Sequence, residues 1–343
     1  MPYGQVLVDT VKDSLNNVLA PASAVFRNRI INGAMVIDQR NAGATGTATG
    51  YTVDRFSYQA SQASKGTWGQ NLNSVTPPVS YSKYLGFQSS SAYALTATDF
   101  FRFYQPIEGF NIADLNWGTA NAKTVTLSFW VYSSLTGTFG GTLENSGETR
   151  SYPYTYSIPV ANTWTPISIV IAGDTSGTWL TTNGVGVVVG FGLGVGTTYS
   201  GTAGSWAGTQ YLGATGSTSV VGTSGATFYI TGVQLEVGTN ATNFDYRPYG
   251  TELVLCQRYY QNAYGTIRAY MTNTYSYWVQ VPLFATMRAT PTVTATSTYE
   301  YRANVTSVSA SASNGSAVEL QTTATATGDG YTTQNLITCS AEL

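Results

Sequence analysis

The sequence contains no histidine and very little charge: 15 Lys and Arg against 17 Asp and Glu, 9% of 343 residues, for a net charge of -2. Without histidine there is no Ser-His-Asp or Cys-His nucleophile and no imidazole metal ligand. Without a basic excess there is no cationic face for nucleic acid. Cysteine occurs only as Cys256 and Cys339, too few for a disulfide framework or a zinc site. Two buried thiols, or a single bridge tying the C-terminal region together, are the open alternatives. No run approaches the ~20 apolar residues that a membrane helix needs. The nearest candidate, residues 184–196, is short and interrupted by glycine. The opening MPYGQVLVDTVKDSL lacks the cationic and apolar regions of a secretory signal. If the protein works outside a cell, the expectation is that it leaves by lysis or on a particle. There is no P-loop, no GxGxxG opening a helix and no DxDxDG calcium loop, so no cofactor or metal is expected.

Aromatics and neutral polar residues are plentiful. Aromatic residues reach 13%, with 25 Tyr and 7 Trp, a composition that argues against disorder. Val8, Val11, Leu15 and Val18 recur at a/d spacing and predict a short N-terminal helix ended by Pro21. Two heptads are too few for a stable coiled coil alone; they suit an anchor or oligomer seed, or equally a short helix packed on its own domain or on a partner. From Asn28 the pattern turns to strands. In KTVTLSFWVYSS, Val125, Leu127, Phe129 and Val131 face one way, and Thr124, Thr126, Ser128 and Trp130 the other. Many short strands with Gly, Pro and Asn turns predict an antiparallel sandwich or barrel. In VGVVVGFGLGVG, Val185, Val187, Val189, Phe191, Leu193 and Val195 share one face, and Gly186, Gly190, Gly192 and Gly194 the other. That bare face fits either a groove floor or a crowded packing seam. A short helix is expected from Thr251 to about Gln261, with Leu253, Cys256 and Tyr260 on one face. About 80 residues of further strands follow, enough for a small second sandwich.

Four stretches carry a family resemblance: NRIINGAMVIDQRNAG (28–43), VTLSFWVYSS (125–134), ITGVQLEVGTNATNFDYRPY (230–249) and ELVLCQRYY (252–260). They resemble bacteriophage and prophage tail-fibre-like virion proteins. The resemblance implies a jelly-roll body of the carbohydrate-binding type. It also implies a homotrimer, exposure on the virion, attachment to tail, baseplate or capsid proteins through the N-terminus, and contact with host-surface polysaccharide. The alternative is a capsid decoration or head-fibre protein with a purely structural role. The expected organisation is an anchor at 1–27, an all-β jelly-roll sandwich at 28–248, and a connector helix with a smaller C-terminal β-sandwich at 249–343.

Glycan recognition uses aromatic faces against sugar C–H patches, with amides and hydroxyls on the ring hydroxyls, and loops usually carry such contacts. The aromatics in suitable contexts are Trp68, Trp117, Tyr199, Trp206, Tyr211, Tyr275, Tyr277 and Trp278, whereas Phe129, Trp164 and Trp179 fit structural positions. No enzyme is expected, although a polysaccharide depolymerase needs only two carboxylates. Asp99, Glu108, Asp114, Glu144, Glu148, Asp174 and Glu236 supply candidates without singling out a pair. Because charge is scarce, Glu236 and Arg247 draw notice. They either pin the linker as a pair, stay solvated, or meet a ligand or metal.

Overall fold

Alternating apolar residues dictate strands, and the computed structural model is built almost wholly from them. It describes residues 11–12, 18–19, 26–296, 301–306, 308–312 and 314–343. At the N-terminus, β1 (Val11–Lys12) and β2 (Val18–Leu19) form an antiparallel ladder, Val11 opposite Leu19 and Lys12 opposite Val18. These four residues are extended where a helix was expected, and the rest of that stretch lies outside the described residues. β-branched valines favour extended backbone, and two heptads gave a helix little cooperativity. Val8 and Leu15, the other two anchor positions, lie outside the described residues.

The body is a two-sheet antiparallel jelly roll. Its strands begin with β3 (Gly50–Tyr51), β4 (Ser57–Ala60), β5 (Gly66–Gln70), β6 (Leu85–Ser89) and β7 (Phe100–Glu108). They continue with β8 (Val125–Ser133), β9 (Gly137–Glu144), β10 (Ser151–Ile158), β11 (Thr165–Ile171), β12 (Val185–Val195) and β15 (Thr227–Val237). One sheet runs β10-β9-β12-β7-β4-β3 and the other β11-β8-β15-β6-β5, so the chain repeatedly crosses between layers. A short parallel pair, β13 (Ser200–Gly201) with β14 (Gly213–Ala214), sits in the β12–β15 connection. The layers meet through the inward face of each strand. Val125, Leu127, Phe129 and Val131 are buried as their alternation predicts, and Phe129 meets Phe191 of the opposite sheet edge-to-face at 5.1 Å.

The β12 glycines form a packing seam over most of their length. A Cβ on Gly186 would lie 2.6 Å from Ile112, on Gly192 2.9 Å from the Gly140 carbonyl, and on Gly194 2.6 Å from Val221. Gly190 alone of the four meets nothing closer than 3.4 Å. Beside it on the outer face, the buried Arg102 guanidinium pairs with Glu144.

Next comes α1 (Tyr249–Gln257), starting two residues earlier than expected, with Pro248 at its N-cap position. Tyr260 already belongs to the next strand, so Tyr259, not Tyr260, is the aromatic packed with Cys256. The C-terminal strands are β16 (Tyr260–Met271), β17 (Ser276–Pro282), β18 (Thr292–Thr296), β19 (Tyr301–Ala303), β20 (Ser309–Ala312), β21 (Ala317–Thr323) and β22 (Gly328–Ser340). They make a sheet ordered β16-β22-β18, with β19 also on β22, facing a sheet ordered β17-β21-β20. Ile267, Met271, Val318, Leu320 and Ile337 fill a core separate from that of the jelly roll. Cys256 and Cys339 are free, buried thiols.

The chain end docks against the jelly roll. Glu342 takes Arg40 at 2.8 Å and also pairs with Arg55, whose guanidinium lies over the Tyr259 ring at 3.6 Å. Arg288 donates to the Ala341 and Glu342 carbonyls, and the Tyr51 hydroxyl donates to that of Leu343. Arg258 pairs with buried Glu108 at 2.6 Å, and the Tyr259 hydroxyl donates to the same carboxylate. Burial alone would raise the Glu108 pKa, but these donors bring it below the ordinary value.

Candidate functional site

A groove walled by aromatic rings lies on the outer face of the β11-β8-β15 sheet. Period-2 alternation sends Ser128 and Trp130 outward from β8. Their cross-strand partners on β11 are Ser168 and Pro166, so a polar rung, Ser128/Ser168, adjoins an apolar one, Trp130/Pro166. Chain segments from both sides wall this floor. Tyr81 comes from the turn before β6, and Phe244 and Tyr246 from the linker after β15. The three rings pack together, with centroids 5.5 Å (Tyr81–Phe244), 5.7 Å (Tyr81–Tyr246) and 4.8 Å (Phe244–Tyr246) apart.

Local chemistry fixes that wall. β15 is irregular between Thr231 and Gln234, where Gly232 takes a φ of 62°. A Cβ there would stand 2.5 Å from the Tyr81 hydroxyl oxygen, so only glycine lets the ring lie against the strand. The Tyr246 hydroxyl donates to the Ser80 carbonyl at 2.6 Å, joining linker to turn. The resulting groove holds about 540 Å³, and Thr242 and Asn243 add polar groups at its rim. No Lys, Arg, Asp or Glu lines it.

The aromatics expected from sequence lie elsewhere. Trp68 and Trp117 are each only 6% exposed, and their indole N–H groups are satisfied by the Ala48 and Lys123 carbonyls, both at 2.8 Å. They belong to the packed interior, not to open loops. Trp206 closes a cluster with Trp117 and Trp179, both centroids 5.3 Å away, and donates to the Ala172 carbonyl. Tyr199 packs edge-to-face on Phe100, and Tyr211 covers Gly201. On the C-terminal sheets, Tyr277 packs against the core and its hydroxyl accepts the Thr272 N–H. Tyr275 and Trp278 are each 65% exposed. None of these eight lines the groove. Of the aromatics that do, Phe244 and Tyr246 lie in the linker after β15, where composition alone gives no signal. Trp130, a tryptophan on the outward side of an alternating strand, was the available signal.

Six of the seven candidate carboxylates are tied into structure, and Glu148 is exposed. Glu144 pairs with Arg102, Asp174 with Arg150, Asp114 with Arg29 and Glu108 with Arg258. Asp99 accepts the Thr96 N–H and hydroxyl and the Ser61 and Tyr93 hydroxyls; burial opposes its charge, but these donors bring its pKa below the ordinary range. Glu236 and Arg247 do not pair with each other. Glu236 accepts from Gln234 and Thr242, while Arg247 pairs with Glu252 at 3.2 Å and caps the Ile30 carbonyl. Both therefore pin the linker, through different partners. Among the described residues there is no cluster of three or more Cys, Asp or Glu able to hold a metal ion.

No protein-family model matches the chain, and no curated protein matches its sequence. Solved structures do align with it. The enzymatically active domain of bacteriophage CBA120 tailspike protein 4 aligns at 12% identity and a TM-score of 0.34, over 63% of this chain and 22% of that one. TmCBM61, solved with β-1,4-galactotriose, aligns at 10% identity and 0.29, over 62% and 99% of the two chains. The family 11 carbohydrate-binding module of a Clostridium thermocellum cellulosomal cellulase aligns at 10% identity and 0.28, over 58% and 98%.

Proposed function

We propose that the protein binds neutral glycan through the Trp130 groove and serves as a non-catalytic, fibre-type component of a phage particle. One observation carries the binding reading: an aromatic and apolar rung beside a hydroxyl rung, walled by three tyrosine and phenylalanine rings and free of charged side chains. Such a surface matches a sugar, which presents apolar C–H faces and a rim of hydroxyls. A charged ligand would find no counter-ion among the lining groups. The particle role rests on the resemblance of the four stretches at 28–43, 125–134, 230–249 and 252–260. In this reading the chain forms a homotrimer, exposed on the virion and joined to tail, baseplate or capsid proteins through its first 27 residues.

The test is a panel of neutral and acidic oligosaccharides screened against the full chain, with calorimetry on the strongest ligand. A neutral sugar should bind, and Trp130→Ala or Tyr246→Ala should each weaken it about tenfold, corresponding to ~1.4 kcal/mol. Binding left intact in both variants would refute the site. No binding by any sugar would favour a purely structural decoration role.

A further inference from the structure

A second groove lies where the C-terminal sheets meet the jelly roll, and it repeats the pattern of the first. Its floor is the outer face of β16 and β22. There Asn262 stands opposite Thr338, and Tyr264 opposite Leu336. A polar rung again adjoins an aromatic–apolar rung, about 6.5–7 Å along the strands. Tyr264 is 63% exposed and its ring is open to solvent. The wall is the turn 39–42 of the jelly roll, and the space between measures about 750 Å³, within the range of small-molecule sites.

The wall is held rigid before any ligand arrives. Asp38 accepts the Asn41 N–H at 3.0 Å and the Gly43 N–H at 2.7 Å, closing the turn. Arg40, projecting from it, lies between the rings of Tyr51 (4.5 Å) and Tyr260 (3.7 Å) and is tied to Glu342 through one nitrogen. Its other terminal nitrogen, Nη1, is buried without a hydrogen-bond partner. So is Oδ1 of Asn262 on the floor, whose amide nitrogen donates to the Gln39 carbonyl. The wall and the floor thus each hold a buried polar atom without a hydrogen-bond partner, the one on the wall 4.0 Å from Asp54 Oδ1. Buried groups of this kind cost stability unless something completes them.

We propose that this junction groove is a second saccharide site, with the sugar's apolar face on Tyr264 and Leu336 and its hydroxyls on the Asn262–Thr338 rung. The proposal rests on the glycan-binding reading and adds a site and a selectivity to it. A hydroxyl can both accept and donate, so sugar hydroxyls suit the amide and hydroxyl groups of that rung. A carboxylate suits the site less well despite Arg40. Glu342 at 2.8 Å and Asp54 at 4.0 Å already face that guanidinium, and a third anion would be repelled. The ligand is therefore a neutral saccharide.

The full chain is titrated calorimetrically with gluco-, galacto- and N-acetylglucosamine trisaccharides and with a glucuronate-bearing disaccharide. A neutral trisaccharide should bind at two equivalents, and the glucuronate sugar at least about tenfold more weakly at the junction. Tyr264→Ala, at an exposed position, should remove one equivalent. So should Thr266→Arg, which places a bulky side chain in the groove. The double variant Trp130→Ala/Tyr246→Ala should remove the other equivalent. If Tyr264→Ala and Thr266→Arg both fold and keep two equivalents, or if Trp130→Ala/Tyr246→Ala binds none, the junction site is refuted and the first groove stands. If Tyr264→Ala abolishes all binding while Trp130→Ala/Tyr246→Ala changes nothing, the junction is the site and the first groove fails. If no sugar binds the parent chain, both fail.

Discussion

Replacing Glu342 by Gln tests how the two sandwiches are held together. The Arg55 side chain is 1% exposed and that of Glu342 8%, so each charge depends on the other. Arg55 sits at a φ of 71°, a strained backbone state for a non-glycine residue. It is held there by a tight turn in which the Thr52 N–H donates to the Phe56 carbonyl at 2.8 Å. Burial would lower the Arg55 pKa, but the Glu342 carboxylate outweighs that and holds it above the ordinary value. Without the carboxylate charge, Arg55 keeps the Pro106 carbonyl, the Tyr259 ring and at most a neutral amide. Breaking a buried pair from one side costs ~3–5 kcal/mol. Glutamine keeps an acceptor, so a loss near ~3 kcal/mol is expected in urea unfolding. Amide exchange should rise first in α1 and β22, the elements at the junction. Adding Arg55→Met should recover much of the loss, because the uncompensated charge leaves with its partner. A cost below ~1 kcal/mol for Glu342→Gln, or a double variant worse than the single, would refute the argument.

Gly186→Ala forces a methyl group 2.8 Å from the Gly109 Cα, on rigid backbone, and should destabilise by ~1–3 kcal/mol in thermal or urea unfolding. Gly190→Ala, whose nearest neighbour is the Thr142 hydroxyl at 3.4 Å, should fall well below that; equal costs would refute the packing-seam account. Asp54 is raised from 3.8 to about 6, chiefly by burial, against the Gln39 hydrogen bonds and the Arg40 charge. The folded state therefore holds this proton more tightly than the unfolded chain. Its contribution to stability falls as pH rises from about 4 to about 6, and the full cost, up to ~3 kcal/mol, is present at pH 7. Asp54→Asn should flatten that part of the stability–pH profile, and an unchanged slope would refute the assignment.

The fold was legible wherever side chains alternate cleanly. Val125 to Val131 announced both the strand and its buried face, because a period of two admits only one inward set. The β12 strand likewise showed its buried side, although not whether its glycines floor a groove or seat other chain segments. That depended on Ile112 and Val221, each far away in sequence. At Val11 and Val18 the a/d spacing misled, because β-branched valines also favour extended backbone. Loop composition misled for Trp68 and Trp117. Gly and Asn around a tryptophan suggest surface, yet both indoles are buried with their N–H groups on backbone carbonyls. The first groove was illegible for a different reason. Tyr81, Trp130 and Tyr246 come from three separate segments, and only the bulge at Gly232 and the Ser80–Tyr246 hydrogen bond bring their rings together.

A charge-poor β-protein must cover its outer faces with Ser, Thr, Asn, Tyr and Trp, so mixed aromatic and hydroxyl rungs arise as a matter of course. What sets the two grooves apart is a wall that holds a ligand against such rungs. Tyr81, Phe244 and Tyr246 supply it in one case and the Arg40 turn in the other. Trp278 gives the contrast: it is 65% exposed on β17, opposite Gln321, and lines neither groove. An aromatic ring without a wall leaves a sugar largely hydrated and free to rotate, and little affinity survives the entropy cost of fixing it. Trp278→Ala should therefore leave calorimetric saccharide binding within about twofold of the parent, while Trp130→Ala weakens it about tenfold. If Trp278→Ala were instead the more damaging substitution, exposure of the ring and not enclosure would govern recognition, and both groove assignments would fall.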